Sequence, residues 1–210
     1  MNRKKYSLLH KASNDLNIYQ SMSAKKAGWN LLNFNSRILK KGEEWKNNTG
    51  NYEYGIILMS GDYSIKSDKG NWKTFNGRKS VFEGIAHTLY LPRNTEFKLK
   101  AESEILDIAC GYCIAEEDYP AKFKKPDEVD IEIRGGDNAT RQINSLIEPG
   151  FGCNKLVSVE VYTPSGNWSS FPAHKHDERI PVSYTHLRAH ETAAEVVCRL
   201  VLENNEGGGG

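Results

Sequence analysis

The stretch VEVYTPSGNWSSFPAHKHD, residues 159–177, carries the strongest structural and chemical signal in the sequence. It begins inside an apolar, β-favouring run that predicts a strand, and it ends with His174 and His176, two residues apart. Side chains at i and i+2 share a face of an extended strand, so the two imidazoles can bind one divalent metal ion. Two histidines at this spacing also occur as surface or packing residues, so their surroundings must decide between the two interpretations.

The rest of the chain reads as short strands separated by turns. Between residues 28 and 115, apolar clusters alternate with turn residues at the spacing of an all-β sandwich or barrel. Turn sites such as Gly61-Asp62 predict hairpins. A second series of strands opens with Val129–Ile133, whose strict alternation predicts a half-buried strand. The sequence therefore predicts an all-β protein with two domains.

The stretch at 159–177 resembles the signature of the 5-deoxy-glucuronate isomerase family, a group of two-domain cupin enzymes. The glycine before the histidines and the acidic residues after them are similar to the first cupin motif, which favours the metal interpretation of His174 and His176. Further similarity lies at Gly28-Trp29, Ser80–Glu83, Tyr90–Pro92, Ile133–Gly135 and Thr140-Arg141. The resemblance covers residues 28–180 and implies a two-domain cupin, a bicupin of two jelly rolls, with the second cupin truncated.

Under this resemblance the chain divides into five segments. A charged stretch with two prolines, from Glu116 to Pro126, indicates a linker between the two strand series. We expect an N-terminal leader segment over residues 1–27, an N-terminal cupin over 28–119, a linker over 120–127, an incomplete C-terminal cupin over 128–180 and a non-native tail over 181–210. The second cupin is expected to be incomplete because fewer residues remain for it than for the first.

The last segment resembles a laboratory DNA sequence. Residues 182–192 look like the translation of a transposon end and adapter used in DNA-sequencing libraries, and residues 197–203 resemble the rest of that adapter. Gly207–Gly210 resemble a run of G bases emitted when the sequencing signal is lost. We therefore do not assign His186 and His190 to a metal site, although their spacing would suit one. A native C-terminal tail is the alternative.

The resemblance implies a divalent metal ion, zinc or manganese, in the second cupin. Family members hold it with two histidines, a glutamate and a third histidine, of which only the first two can be assigned here, to His174 and His176. The other two ligands are expected beyond Ile180, so the site is incomplete in this chain. Asp177 and Glu178 are too near the histidines to be the family glutamate, and we expect them to be solvated loop acids.

The resemblance implies the reaction of the family, which converts 5-deoxy-D-glucuronate, an aldehyde, into 5-dehydro-2-deoxy-D-gluconate, a ketone, in myo-inositol catabolism. The carboxylate of such a sugar acid needs a cationic partner, which Arg134 or Arg141 can supply by bidentate pairing. Trp168 can stack on an apolar face of the sugar. Surface positions for the arginines and packing at the barrel mouth for the tryptophan are the alternatives. The general base is left unassigned.

Two other functions fit the same residues. An iron dioxygenase also uses two histidines and a carboxylate, and a non-catalytic cupin could bind a sugar without turnover. Because two of the four expected ligands are missing, we expect the 210-residue chain to be an inactive fragment of the isomerase that binds metal weakly.

The composition limits the classes of partner that the protein is expected to bind. Twenty-eight basic residues balance 27 acidic ones, the net charge is +1, and no basic block occurs, which argues against a nucleic-acid binder. The sequence contains neither an apolar run of membrane-spanning length nor a secretory signal. We expect a cytoplasmic protein with a small-molecule substrate, no nucleic-acid or membrane partner, and self-association through an open cupin edge.

The cysteines and the histidine of the first domain are expected to have structural roles. Cys110 and Cys113 have the CxxC spacing of redox and zinc sites, but on a strand their side chains point to opposite faces. We therefore expect them to be reduced, buried and inert. His87 stands alone before a predicted strand, which favours a structural or surface role and makes the first cupin a scaffold.

Overall fold

The computed structural model describes residues 18–27, 31–169, 187–188 and 194–202, with the backbone alone for Ala27 and for the last two ranges. Within these residues the protein is all-β, with fifteen strands, one short helix, α1 (Ala24–Ala27), and two 3-10 turns at Pro126–Glu128 and Asp137–Ala139. The strands are β1 (Gln20–Met22), β2 (Asn33–Lys40), β3 (Glu44–Asn48), β4 (Tyr52–Ser60), β5 (Tyr63–Ser67), β6 (Gly70–Lys73), β7 (Thr88–Leu91), β8 (Glu96–Ala101), β9 (Ile105–Ile114), β10 (Lys122–Lys124), β11 (Asp130–Arg134), β12 (Arg141–Ile147), β13 (Leu156–Pro164), β14 (Leu187–Arg188) and β15 (Ala194–Leu202).

Two sheets face each other across an apolar core. Sheet A has the strand order β1-β2-β9-β4-β7-β10, and sheet B has the order β3-β8-β5-β6. Neighbouring strands in both sheets are antiparallel. The largest side chains of the core between them are Leu39, Trp45, Tyr54, Ile56, Leu58, Tyr63, Ile65, Leu89, Leu91, Phe97, Leu99, Leu106 and Ile108. This arrangement confirms the all-β prediction, and its two-sheet form is cupin-like.

Side chains fill the interior of this sandwich. The rings of Trp45 and Phe97 pack edge to face with 5.0 Å between their centroids, and the ring centroids of Tyr54 and Tyr112 lie 4.8 Å apart. Tyr63 is fully buried, and burial raises the pKa of its hydroxyl. Rings and aliphatic chains packed at this density stabilise the fold by removing apolar surface from water.

A third sheet packs on the outer face of sheet A. Sheet C has the order β11-β12-β13-β15-β14. Its contact with sheet A is lined by Leu32, Phe34, Ile57, Met59, Ala86, Tyr90, Ala109, Cys113, Val129, Leu146, Ile147, Phe151 and Leu156. At Gly55, an added Cβ would lie 3.0 Å from Ile147 Cδ1 and 3.6 Å from Leu156 Cδ1. The missing side chain at Gly55 therefore allows β12 and β13 to approach β4 closely.

Glu53, fully buried on β4, binds the start of β13. Its carboxylate accepts hydrogen bonds from the three backbone N–H groups of residues 154–156, at 2.6 to 2.9 Å. It also accepts the Tyr90 hydroxyl at 2.9 Å and the Cys113 thiol at 3.4 Å. Burial, together with the charge of Glu53, raises the pKa values of that hydroxyl and that thiol, so both keep the protons they donate.

A buried ion pair makes a second connection between sheets A and C. Arg78 Nη1 lies 2.6 Å from Glu160 Oε1, and both side chains are almost fully buried. The Arg78 Nε donates to the carbonyl oxygens of Leu58 and Met59 at 3.0 and 3.1 Å, and Nη1 donates to Gly84 O at 3.1 Å. Because the guanidinium also donates hydrogen bonds to main-chain oxygens, these bonds offset part of the cost of burying its charge.

β11 is the element whose burial was predicted wrongly. All five of its residues are exposed, whereas the alternation at Val129–Ile133 predicted a half-buried strand. β11 is an edge strand of sheet C, and its Ile131 and Ile133 project beyond the area that packs on sheet A. Alternation sets which side chains share a face, but burial requires a second layer over that face.

Strands also occur in segments predicted as leader, linker and tail. β1, from the leader 1–27, pairs with β2, and β10, from the linker 120–127, pairs with β7. The backbones of β14 and β15 lie within 181–210 and extend sheet C beside β13. That these last residues are non-native stays a prediction.

The prediction that the two central cysteines are buried on opposite faces of a strand is confirmed, and their inertness stays a prediction. Cys110 and Cys113 lie on β9, both buried, with Cys110 in the core between sheets A and B and Cys113 in the contact with sheet C. Both thiols are free, as is that of Cys153, and burial raises the pKa of all three, that of Cys153 to about 12. The CxxC spacing therefore forms neither a disulfide nor a shared ligand pair.

Among the described residues, no helix is long and apolar enough to cross a membrane.

We predict that Glu53→Gln lowers the free energy of unfolding by about 2 to 4 kcal/mol, because an amide offers one oxygen where a carboxylate now serves five donors. Urea denaturation of both proteins measures the change. Glu104→Gln is the control, because Glu104 is exposed and its carboxylate forms an exposed ion pair with Lys41, so a loss below about 0.5 kcal/mol is expected. Equal losses for the two variants would contradict the role of Glu53.

We predict that Asp107 makes the protein less stable as the pH rises through 6. Burial raises the pKa of this carboxyl from 3.8 to about 6, although the charge of Arg78 opposes the shift. The folded state therefore favours the protonated acid. The resulting contribution to the free energy of unfolding is fully present below about pH 4 and is lost above pH 6. Asp107→Asn should stabilise the protein by about 1 to 3 kcal/mol at pH 7.5 and much less at pH 4.5. The same difference at both pH values would refute the prediction.

Candidate functional site

The predicted substrate-binding residues lie at one end of sheet C. Arg134, the last residue of β11, and Arg141, the first of β12, are directly opposite each other in the antiparallel register. The backbone N–H of Trp168 donates to Asn138 O at 2.7 Å, which anchors the segment after β13 to the β11–β12 loop. The structure therefore brings Arg134, Arg141 and the Trp168 segment together.

Tight turns hold this end in shape. Gly135, at φ +87°, follows β11, and Asp137, at φ +48°, opens the 3-10 turn that leads to β12. After β13, Gly166 adopts φ +83°. The Asn167 side chain then donates to Thr140 O at 2.9 Å. Glycine adopts positive φ without steric cost, so the sequence Arg-Gly-Gly at 134–136 suits a hairpin end.

The two faces of sheet C carry different sets of side chains. Glu160 and Tyr162 on β13 point towards sheet A, where Tyr162 donates its hydroxyl to Gly84 O at 2.8 Å. Successive side chains of a strand alternate, so Val161 and Thr163 point to the opposite face. Arg141 shares that face, because its neighbour Gln142 pairs with Tyr162. The face turned away from the first sandwich therefore carries Arg141 and, directly opposite it, Arg134.

Arg134 and Arg141 differ in what they already bind. Arg134 donates to both oxygens of Glu132, at 2.9 and 2.5 Å, and this hydrogen bonding raises the pKa of Arg134 and lowers that of Glu132. Arg141 is half-buried and donates from Nη1 to Ala139 O at 2.9 Å. It forms no ion pair with any residue of the described ranges. Arg141 is therefore the better placed of the two to meet a carboxylate.

The remaining predicted site residues have separate outcomes. Trp168 is 50% exposed, so its indole has surface available for a ligand. His174 and His176 lie outside the described residues, as do His186 and His190. Among the residues that are described, no three His, Cys, Asp or Glu side chains form a group that could hold a metal ion.

His87 is a buried structural residue of the first sandwich. Its ring stacks on Phe123 with 5.7 Å between centroids, and its Nδ1 has no hydrogen-bond partner among the described groups. Burial lowers its pKa, which keeps the ring neutral at pH 7. The predicted alternatives were a structural or a surface role, and the structure supports the structural one.

Sequence reasoning missed the polar cluster behind the site. Glu160 accepts the Tyr162 hydroxyl at 3.0 Å and the Asn144 amide at 3.3 Å, besides its ion pair with Arg78. Burial, with a further contribution from Glu160, raises the pKa of Tyr162. The signal in the sequence was a glutamate between two valines at 159–161, since an acid inside an apolar strand needs a buried partner.

Comparison with known proteins gives a family match over most of the chain. The model of the KduI/IolB family matches residues 7–196. The 5-deoxy-glucuronate isomerase of Geobacillus kaustophilus is 33% identical over 154 residues, which are 72% of this chain and 55% of that protein. That of Geobacillus thermodenitrificans is 34% identical over 155 residues, 72% of this chain and 56% of that protein. The matched region thus spans little more than half the length of these relatives.

Solved structures support the same grouping. The chain is similar to an IolB-like protein from Salmonella typhimurium LT2 with a TM-score of 0.78 and 26% identity, covering 96% of this chain and 89% of that one. An oxalate decarboxylase from Lactobacillus farciminis reaches a TM-score of 0.50 at 5% identity, covering 70% of this chain and 60% of that one. The second likeness concerns the fold alone.

We predict that Gly135→Ala disturbs the site end of sheet C. The added Cβ would clash with the Ala139 carbonyl and come within 3.0 Å of Arg141 Nη1, and φ +87° disfavours alanine. The free energy of unfolding should fall by about 1 to 3 kcal/mol in urea denaturation. Gly136→Ala is the matched control, because nothing lies within 4 Å of its Cβ position, and a change within about 0.5 kcal/mol is expected. Similar effects of the two substitutions would refute the prediction.

Proposed function

The chain belongs to the KduI/IolB family, and on that premise we propose that the protein isomerises 5-deoxy-D-glucuronate to 5-dehydro-2-deoxy-D-gluconate in myo-inositol catabolism. The observation that carries the proposal is the similarity of 33 and 34% to two proteins named 5-deoxy-glucuronate isomerase. The cluster of Arg134, Arg141 and Trp168 at one end of sheet C supports it, because a sugar acid requires both a cation and a stacking surface.

The proposed reaction moves a proton by one carbon. The proton on the carbon beside the aldehyde leaves, and protonation of the aldehyde oxygen gives an enediol. The hydroxyl on the former α-carbon then loses its proton as it becomes the ketone carbonyl, and a proton adds to the former aldehyde carbon, so that an aldose becomes a ketose. A divalent ion, zinc or manganese, would act as a Lewis acid on the carbonyl and hydroxyl oxygens. We propose His174 and His176 as two of its ligands, because the sequence spaces them two residues apart and neutral imidazole is a common ligand of such ions. The general base remains unassigned.

Within this proposal Arg141 binds the substrate carboxylate. Its guanidinium is half-buried, so a charge-assisted pair there would be stronger than at the surface. Arg134 is engaged by Glu132 on its own strand, and we propose a lesser role for it. Trp168, anchored through its backbone to Asn138, would stack on the apolar face of the sugar.

Two further parts of the proposal concern the domain to which sheet C belongs and the cellular location and partners of the protein. We propose that sheet C belongs to a second cupin beside the complete sandwich of sheets A and B. A cytoplasmic location, a small-molecule partner and the absence of nucleic-acid and membrane partners stay predictions from composition.

The experiment uses two proteins, the 210-residue chain and the product of the reading frame that continues past Ile180 at the source locus. Conversion of 5-deoxy-D-glucuronate is followed by NMR with zinc or manganese added. We expect turnover by the continued protein and none by the 210-residue chain, whose metal affinity should be weak. His174→Ala and His176→Ala in the continued protein should each lose metal and reduce kcat/KM about 100-fold or more.

The arginine pair supplies a matched comparison in the same assay. Arg141→Ala should raise KM about 10- to 100-fold with metal content unchanged, and Arg134→Ala should have a smaller effect. Oxygen uptake that depends on iron would instead support assignment of the protein as a dioxygenase. Binding of the substrate without turnover in the continued protein would favour a sugar-binding cupin.

A further inference from the structure

The edge of sheet C formed by β11 differs from the other edges of the structure. All five residues of β11, Asp130 to Arg134, are exposed, with Ile131 52% and Ile133 64% exposed. β12 pairs with one side of β11, and no strand among the described residues pairs with the other. An open edge presents unpaired N–H and C=O groups that can hydrogen-bond to a further strand.

The other edges carry the features that discourage pairing. β3, β6 and β10 include lysines, namely Lys46, Lys73, Lys122 and Lys124, while β1 is three residues long and β14 is two residues long. Lysine on an edge strand and short edge strands are devices that block association between sheets. β11 has neither lysine nor proline, and it carries two exposed isoleucines. Its three charged residues, Asp130, Glu132 and Arg134, are of both signs, so a partner strand with the complementary order of charges can pair with it.

The sequence of β11 is complementary to itself when it is reversed. In an antiparallel pair of two copies centred on Glu132, Asp130 lies opposite Arg134 of the second copy, and Ile131 lies opposite Ile133. Each opposite-charge pair and each isoleucine pair then occurs twice, as two-fold symmetry requires. The two Glu132 side chains meet at the axis, where each is already neutralised by Arg134 of its own strand.

We propose that β11 is a homodimerisation edge, paired antiparallel with β11 of a second copy across a two-fold axis at Glu132. Five residues on each side bury far less area than the roughly 1,200 to 2,000 Å² of stable interfaces, so the dimer forms at high protein concentration. Arg134 belongs both to this edge and to the proposed substrate site, where it lies opposite Arg141, so the tests below measure mass and not activity. The inference concerns assembly alone and stands whether or not the protein is an isomerase.

The first test follows mass against concentration for the 210-residue chain by sedimentation equilibrium. We expect the average mass to rise from 23.7 kDa towards twice that value across the micromolar range. Ile131→Lys should remain monomeric throughout. Ile105→Lys is the matched control, because Ile105 is 51% exposed but lies on β9, inside sheet A, and this variant should dimerise as the unmodified chain does. A mass of 23.7 kDa at all concentrations overturns the proposal.

The second test exchanges the charges at the two ends of β11. Asp130→Arg alone places arginine opposite arginine, and Arg134→Asp alone places aspartate opposite aspartate, so each variant should be monomeric. Mixing these two variants should restore a dimer, since each acid then meets a base on the other chain. The double variant Asp130→Arg/Arg134→Asp should also dimerise. Dimerisation of either single variant alone, or none in the mixture, overturns the antiparallel pairing.

Discussion

The buried carboxylate of Glu53 receives the three backbone N–H groups at residues 154–156 and thereby fixes where β13 begins on the face of sheet A. From there β13 runs antiparallel to β12, across a register shift between Ser145 and Ile147, towards the end of the sheet where Arg141 lies. A carboxylate is suited to anchoring a strand because it can accept several hydrogen bonds at once, and a buried one cannot exchange them for water. The strand that leads to the candidate site is therefore anchored at its opposite end.

The two halves of the structure distribute polarity differently. Between sheets A and B the interior is mostly aromatic and aliphatic, with Arg37 stacked over the Trp45 ring, whereas the contact of sheet A with sheet C contains the hydrogen-bonded groups of Glu53, Arg78, Glu160 and Tyr162. Buried polar groups of this kind demand partners in one geometry, so they restrict sheet C to one position more strictly than apolar packing would. The first sandwich thus provides a packed core and a defined surface, and sheet C carries the candidate residues Arg134 and Arg141.

The local rules of strands account for what could be predicted from the sequence. The positions of Cys110 and Cys113 on opposite faces of β9 follow from alternation within one strand. The pairing of Glu160 with Arg78 could not be predicted in that way, because 82 residues separate them and only the packing of two sheets brings them together. Likewise, Arg134 and Arg141 were each candidates for a carboxylate, but their different engagement depends on Glu132 and Ala139, which only the hairpin geometry reveals. The exposure of β11 was missed because burial depends on a covering layer that alternation does not encode.

The connections made by Glu53 and Arg78 bear on how this chain could be divided or recombined. Each joins residues from the first sandwich to residues from sheet C, and the charged stretch between Glu116 and Pro126 looks, by composition alone, like a seam between modules. Dividing the chain at that stretch would separate the carboxylate of Glu53 and the guanidinium of Arg78 from their partners and expose both to water. Exchange of either half between relatives should therefore preserve the fold only where both polar connections are carried across.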